Sequence, residues 1–255
     1  MQNQTINYSQ KYFQSSTFDT DYQTLATIIF ALYHPQTVAE FGCGPGHLSR
    51  ELAKLGVKVI AVDGHSYPDF TGLAVEFHRL DLNDHTAIAN FFANKHFDLA
   101  ICVEVAEHLQ PVVSSTLIEW LTLVAPVVIF SAAVPHQGGH GHINLQPREY
   151  WHNEFIQREF VVADRIRELL RPISTVAPWY CYNIIDYVQI HHPQAPELSE
   201  VIPRLIASES AAASAYYQEY DRRFIAEMHL KYAPVQLYTS IKRLRWLAKR
   251  FLGRT

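Results

Sequence analysis

An α/β fold with a mainly parallel sheet and helices on both faces is predicted by three features of this 255-residue chain. Short apolar runs of strand length alternate with segments whose apolar residues recur at helical spacing. The first such run, Val38 to Phe41, ends in glycines at alternate positions, Gly42, Gly44 and Gly46, and a helix-like segment from His47 to Leu55 follows at once. The next run, Val57 to Val62, ends in Asp63, 21 residues after Gly42. Strand, glycine turn, helix and strand form the unit by which a Rossmann-like sheet receives a nucleotide, and an acid at that second strand end is placed for ribose hydroxyls. Glycines can take positive φ and let backbone N–H groups approach a ligand, while the helix start favours an anionic group.

The other elements follow in order. Residues 1–18 are polar with scattered aromatics (Tyr8, Tyr12, Phe13, Phe18) and no sustained period, which reads as a loosely structured arm. From Asp19 to Tyr33, Leu25, Ile28, Ile29 and Leu32 repeat at spacings of three and four, the pattern of an amphipathic helix, and Pro35 stops it. After a loop from His65 to Gly72, Val75 and Phe77 alternate into a third strand that ends at Asp81 and Leu82. Asn83 and Asp84 precede the helical run Thr86 to Phe92, so an acid here is open to two readings, helix cap and ligand contact.

Phe97 to Val103 is a continuous apolar run, as expected of a central parallel strand buried on both faces. Glu104, Glu107, His108 and Leu109 follow it; acids at that point suit either a helix start or a ligand cleft. A helix from Ser114 to Leu123 leads to a fifth strand, Val127 to Val134. The stretch Pro135 to Trp151 then carries His136, His140 and His142, three glycines, Asn144 and Gln146 away from a strand end, where open α/β sheets keep their ligands. Pro147 suits the first turn of a helix running to about Glu159. A sixth strand (Phe160 to Val162), a short helix (Asp164 to Leu170) and a seventh strand (Tyr182 to Ile190), paired antiparallel at the sheet edge, complete the domain.

Beyond His192 the character changes. Pro193, Pro196 and Pro203 separate the domain from an alanine- and leucine-rich segment that reads as helix from about Glu197 to Tyr232, and a last helix carries Leu237, Ile241, Leu244, Leu247, Phe251 and Leu252 on one stripe. The organisation is therefore an arm (1–18), a ligand-binding domain (19–192) and a helical appendage (193–255) with a basic amphipathic end. From Ile241 to Thr255 there are six basic residues and no acid, against a formal charge of −4 for the whole chain, so the remainder carries −10. A nucleic acid substrate is not expected of so acidic a body. Residues 236–255 suit a peripheral membrane or protein contact, the bland alternative being that the stripe packs on the domain.

With 48% hydrophobic and 18% charged residues the chain can bury one substantial core. No apolar run approaches the roughly 18 residues of a membrane span, and the start MQNQTINYSQ lacks signal-peptide character, so a cytoplasmic protein is expected. The three cysteines, Cys43, Cys102 and Cys181, are far apart in strand or turn contexts, which suits reduced packing residues and neither a disulfide framework nor a zinc knuckle.

The dinucleotide fingerprint wants its third glycine three positions after the second, and His47 stands there, which disfavours an NAD-dependent dehydrogenase. Instead Glu40, two residues before Gly-Cys-Gly-Pro-Gly, resembles the first motif of class I S-adenosylmethionine-dependent methyltransferases. The resemblance covers residues 20 to 190. It implies that S-adenosylmethionine is the cofactor, with Glu40 near its amino group, the glycine turn giving it room, Asp63 at the ribose, Asp81 with Leu82 at the adenine, and Glu104 under the methionine part. It further implies methyl transfer to a small acceptor, which the His-, Asn- and Gln-rich loop suggests is polar, a hydroxyl on a sugar-like or similar metabolite.

His142 is the expected general base, with His140 as its competitor, because a neutral imidazole is available at cellular pH and both flank glycines after the fifth strand. A His-x-His pair alone does not make a metal site. The alternatives are a metal-dependent O-methyltransferase using His136, His140 and His142 with a carboxylate, and a non-catalytic Rossmann module whose basic tail mediates assembly.

Overall fold

A computed structural model describes residues 8–135, 137 and 139–195. The helical stretches expected beyond residue 195, with their basic end, lie outside the described residues, as does His136.

The strands are β1 (Thr37–Phe41), β2 (Lys58–Asp63), β3 (Val75–Arg79), β4 (Leu99–Val103), β5 (Val127–Ser131), β6 (Phe160–Val162) and β7 (Ile185–Gln189). They form one seven-stranded sheet in the order β3-β2-β1-β4-β5-β7-β6. From β3 to β5 every pairing is parallel, while β7 is antiparallel to both β5 and β6. The seventh strand is thus antiparallel as expected, but it lies one place in from the edge, and β6 holds the edge. It also starts later than Tyr182, because Pro178 opens a helix that runs to Asn183.

Helices are α1 (Gln10–Phe13), α2 (Tyr22–Tyr33), α3 (His47–Lys54), α4 (His85–Phe92), α5 (Pro111–Val124), α6 (Arg148–Ile156), α7 (Arg165–Leu170) and α8 (Pro178–Asn183). Strand alternation divides the core into two layers. On one face Ala39, Phe41, Cys102, Val128 and Phe130 pack with residues of α4, α5 and α6. On the other Val38, Ile101, Val127 and Ile129 pack with α2, α3, α7 and α8. All three cysteines are buried and none forms a disulfide. Among the described residues no helix is long and apolar enough to cross a membrane.

Local chemistry fixes the boundaries. Asp21 accepts from the Thr24 N–H at 2.9 Å and caps α2, while His34 ends it in a left-handed conformation just before Pro35. Pro111 takes the first turn of α5, one turn earlier than apolar spacing indicates. Asp186, wholly buried in β7, accepts from the Arg165 N–H at 2.8 Å and from Tyr33, so one carboxylate ties β7 to the start of α7 and the end of α2.

The antiparallel end depends on aromatic packing. Phe155 of α6 is fully buried, stacked on Tyr187 with ring centroids 3.8 Å apart and 5.3 Å from Phe130. Phe155→Ala is expected to cost about 3 to 5 kcal/mol of stability in urea unfolding; a loss below about 1 kcal/mol would show that this end is not packed as described.

Candidate functional site

Strand order reverses at β1, which has β2 on one side and β4 on the other, so the loops leaving β1 and β4 part and open a crevice at the carboxyl ends of the strands. A cavity of about 160 Å³ occupies that crevice. Its floor is the glycine turn. The Gly42 and Cys43 N–H groups both donate to Val62 O, at 2.8 and 3.1 Å, which fastens the turn to the end of β2. Gly42 and Gly46 have φ of +77° and +76°. A Cβ would lie 2.5 Å from Val105 at Gly42 and 2.3 Å from Phe70 at Gly46, so neither position has room for a side chain.

The predicted acids surround this floor. Glu40, fourth residue of β1, is 3% exposed and accepts a hydrogen bond from Ser49 of α3. Burial raises its pKa to about 7 against the bond from Ser49. Asp63 accepts from Gly44 N at 2.9 Å through one oxygen, and from His65 N and Ser66 N at 2.7 Å each through the other. A carboxylate has about four lone-pair positions, so three are taken and about one still faces the cleft. Asp81 and Leu82 line the cleft too. The capping reading belongs to Asp84, which accepts from Ala87 N at 2.9 Å, whereas Asp81 bonds Asn83 and caps nothing.

Glu104 follows β4 in a left-handed conformation, φ +55°, unusual for a residue with a side chain. Its N–H donates to the backbone and hydroxyl oxygens of Ser131, at 3.0 and 2.9 Å, and its carboxyl accepts from Asn183 Nδ2 at 3.3 Å. Burial lifts its pKa to about 7, opposed by the Ser131 and Asn183 hydrogen bonds. Of the predicted cofactor residues, Glu40, Gly42, Gly44, Asp63, Asp81, Leu82 and Glu104 all line the cleft, and Gly46 stands just below it as the N-cap of α3.

Two features escape sequence reasoning. The first is the arm: Tyr8, Tyr12, Phe13 and Phe18 line the cleft, with Phe18 and Phe13 close to Gly44 of the glycine turn. Their rings pack edge-on and tilted at 5.3 to 5.8 Å, and residues 10–13 and 16–18 form a helical turn and a 3-10 turn rather than a loose arm. Four aromatics in a polar stretch were the available signal.

The second is the corner behind β4, where Ala106–His108 make a 3-10 turn. His108 lines the cleft, and burial takes its pKa down to about 4. Neither His140 nor His142 is in the lining. His140 is exposed and packs on Tyr12, ring centroids 5.0 Å apart. His142 stands against His108, centroids 4.8 Å apart, with Nε2 4.0 Å from a Glu107 carboxylate oxygen. Asn144 and Gln146, expected to face an acceptor, turn inward instead. Asn144 is 2% exposed and donates to Ala106 O and Ser114 Oγ, and Gln146 donates to Asn144 at 2.9 Å. They fasten the loop because buried amides must find partners.

Comparison with known proteins agrees with this geometry. The family model described as methyltransferase domain matches residues 19–171, more than half of the chain. No curated protein matches. Among solved structures, the 1,6-didemethyltoxoflavin-N1-methyltransferase of Burkholderia thailandensis, bound to S-adenosylhomocysteine, is 17% identical with a TM-score of 0.51, over 70% of this chain and 83% of that one. The magnesium protoporphyrin IX methyltransferase of Synechocystis PCC 6803, with S-adenosylmethionine bound, is 19% identical with a TM-score of 0.48, over 74% and 86%.

Glu40 makes stability depend on pH. Its folded pKa is raised, so its contribution is complete below the unfolded value near 4.5 and is lost as pH rises through about 7. The depressed His108 acts in the opposite sense over part of the same window, so the Glu40 share is read as a difference. Ligand-free wild type is expected to lose up to about 3 kcal/mol relative to Glu40→Gln between pH 4.5 and 7.5 in denaturant titrations; parallel profiles would show that the buried carboxyl titrates normally.

Proposed function

The chain belongs to the methyltransferase domain family and takes its methyl group from S-adenosylmethionine, and from that premise we propose that the acceptor is a hydroxyl oxygen on a small polar molecule. The observation that carries this reading is the corner of Glu107, His108 and His142 beside the cofactor cleft, since an O–H nucleophile gains from groups that promote loss of its proton and an aromatic or thiol nucleophile needs them less. The donor needs little else: its sulfonium is already a good leaving group, and what remains is to exclude water and hold the acceptor in line.

In this reading Glu40 receives the amino group of the cofactor, the Gly42–Gly44 backbone passes under it, and Asp63 uses its remaining lone pair on a ribose hydroxyl. Asp81 and Leu82 flank the adenine, and Glu104 lies under the methionine part. The aromatic arm covers the cleft and keeps water out. His142, ahead of His140, is the histidine on which turnover depends, because it alone of the two touches Glu107.

Three measurements check these assignments. Asp63→Asn is expected to weaken S-adenosylmethionine binding about 10- to 100-fold in calorimetry, the effect of one charged hydrogen bond, and to lower stability because the same carboxylate holds Gly44. Unaltered affinity would remove Asp63 from the site. His142→Ala is expected to lose about 10² to 10⁴ in turnover with cofactor affinity kept, while His140→Ala stays within about tenfold; equal behaviour of the two variants would sink the assignment. For the acceptor, a cell extract incubated with isotopically labelled S-adenosylmethionine should yield a labelled methyl ether by mass spectrometry, and a label found on nitrogen, carbon or sulfur would overturn the oxygen reading.

A further inference from the structure

We propose that Glu107, His108 and His142 bind a divalent cation next to the methyl-donor cleft, an inference that deepens the oxygen-acceptor reading and rests on it. One atom from each of the three, an oxygen and two imidazole nitrogens, can be chosen so that all lie within 4.8 Å of one another. Ligand atoms about 2.0 to 2.2 Å from a shared ion stand about 3 to 4 Å apart, so small side-chain rotations close the set. The Glu107–His142 separation of 4.0 Å is already in that range.

The second observation is the state of Glu107 itself. It is 0% exposed, and neither carboxylate oxygen has a hydrogen bond of good geometry among the described residues; its own N–H and that of Ala133 approach only loosely. The Glu104 carboxyl lies within hydrogen-bond reach of it, a contact that needs a proton on one of the two. Two carboxyl groups so placed inside a protein need a shared proton or a cation.

The surrounding chain holds the three ligands in place. Ile143 N and Asn144 N both donate to Glu107 O, at 2.9 and 3.0 Å, which locks the loop bearing His142 onto the turn bearing Glu107 and His108. A Cβ at Gly139 would lie 2.0 Å from the His142 ring, so the loop is shaped around that imidazole. Tyr8 Oη at 2.8 Å and Gly141 O at 3.3 Å meet His108 at Nδ1 and fix its ring, the kind of outer support that metal-binding histidines have.

One carboxylate with two imidazoles suits a first-row ion such as Mn²⁺ or Zn²⁺ better than Ca²⁺. The ion would bind the acceptor oxygen and lower the pKa of its hydroxyl, whose proton leaves to water through the cleft. An oxygen lone pair then forms the bond to the methyl carbon as the carbon–sulfur bond breaks, giving a methyl ether and S-adenosylhomocysteine. His142 is on this view a ligand, not the free base that its place in the sequence indicates.

The test uses full-length, tag-free protein treated with a chelator. Titration with Mn²⁺ followed by electron paramagnetic resonance, and with Zn²⁺ by calorimetry, is expected to give one bound ion per chain. Glu107→Gln and His142→Ala should each weaken it at least about 100-fold, beyond what loss of an outer partner does, while calorimetry shows S-adenosylmethionine bound as in wild type. Failure of both ions to bind, or binding unchanged in both variants, overturns the proposal, and methyl transfer that persists in excess chelator removes the ion from the reaction while leaving the oxygen reading intact. Conversely, stoichiometric binding lost in both variants, with labelled product found on nitrogen, would keep the site and sink the oxygen acceptor.

Discussion

Three backbone N–H groups from two loops meet on the carboxylate of Asp63, and the cleft exists because they do. Gly44 belongs to the turn after β1, and His65 and Ser66 to the loop after β2; neither segment is regular enough to hold itself. Charge-assisted hydrogen bonds at 8% exposure are among the stronger polar contacts a protein makes. They fix the turn at a height where backbone, not side chains, forms the floor. Everything above follows: Gly42 against Val105, Gly46 against Phe70, and α3 starting at Gly46 so that Ser49 reaches the Glu40 carboxyl.

The arm is held by different forces. Aromatic rings of the arm supply an apolar lid, and Tyr22 meets Tyr180 across the hydroxyls at 3.2 Å. Two carboxyls of the same lining, the buried Glu40 and the part-buried Glu104, resist ionisation when no cation is near.

What the sequence revealed, it revealed through local constraints. The glycine spacing, Asp63 at a strand end and the apolar run of β4 are written in neighbouring residues, so the residues that share one cleft, from Glu40 to Glu104, were legible in the sequence. The arm was not, because Tyr8, Tyr12 and Phe18 owe their order to packing on the cleft and on each other, and such contacts leave no periodicity. Nor was the place of β7, since strand order is a matter of long-range pairing that no propensity encodes. Nor was its start, since the helix that Pro178 opens runs through Tyr182 to Asn183 before the strand begins at Ile185. His140 and His142 look equivalent in sequence, two residues apart among glycines; the return of Ile143 and Asn144 to Glu107 separates them, turning one to solvent and the other to a buried acid.

The sheet's margins carry a consequence for how the protein keeps to itself. An open sheet must end somewhere, and each end offers unpaired amides to any passing strand. One margin here is β6, only three residues long, too short to template much pairing. The other is β3, where Glu76, His78 and Arg79 place ionisable groups along five residues, so an incoming strand would have to strip water from charges before gaining its ladder. Inserting β7 as an antiparallel member moves the long apolar strand inward and leaves the short one outside. The ends of the strands thus stay open to small molecules while, among the described residues, the flanks of the sheet discourage strand addition.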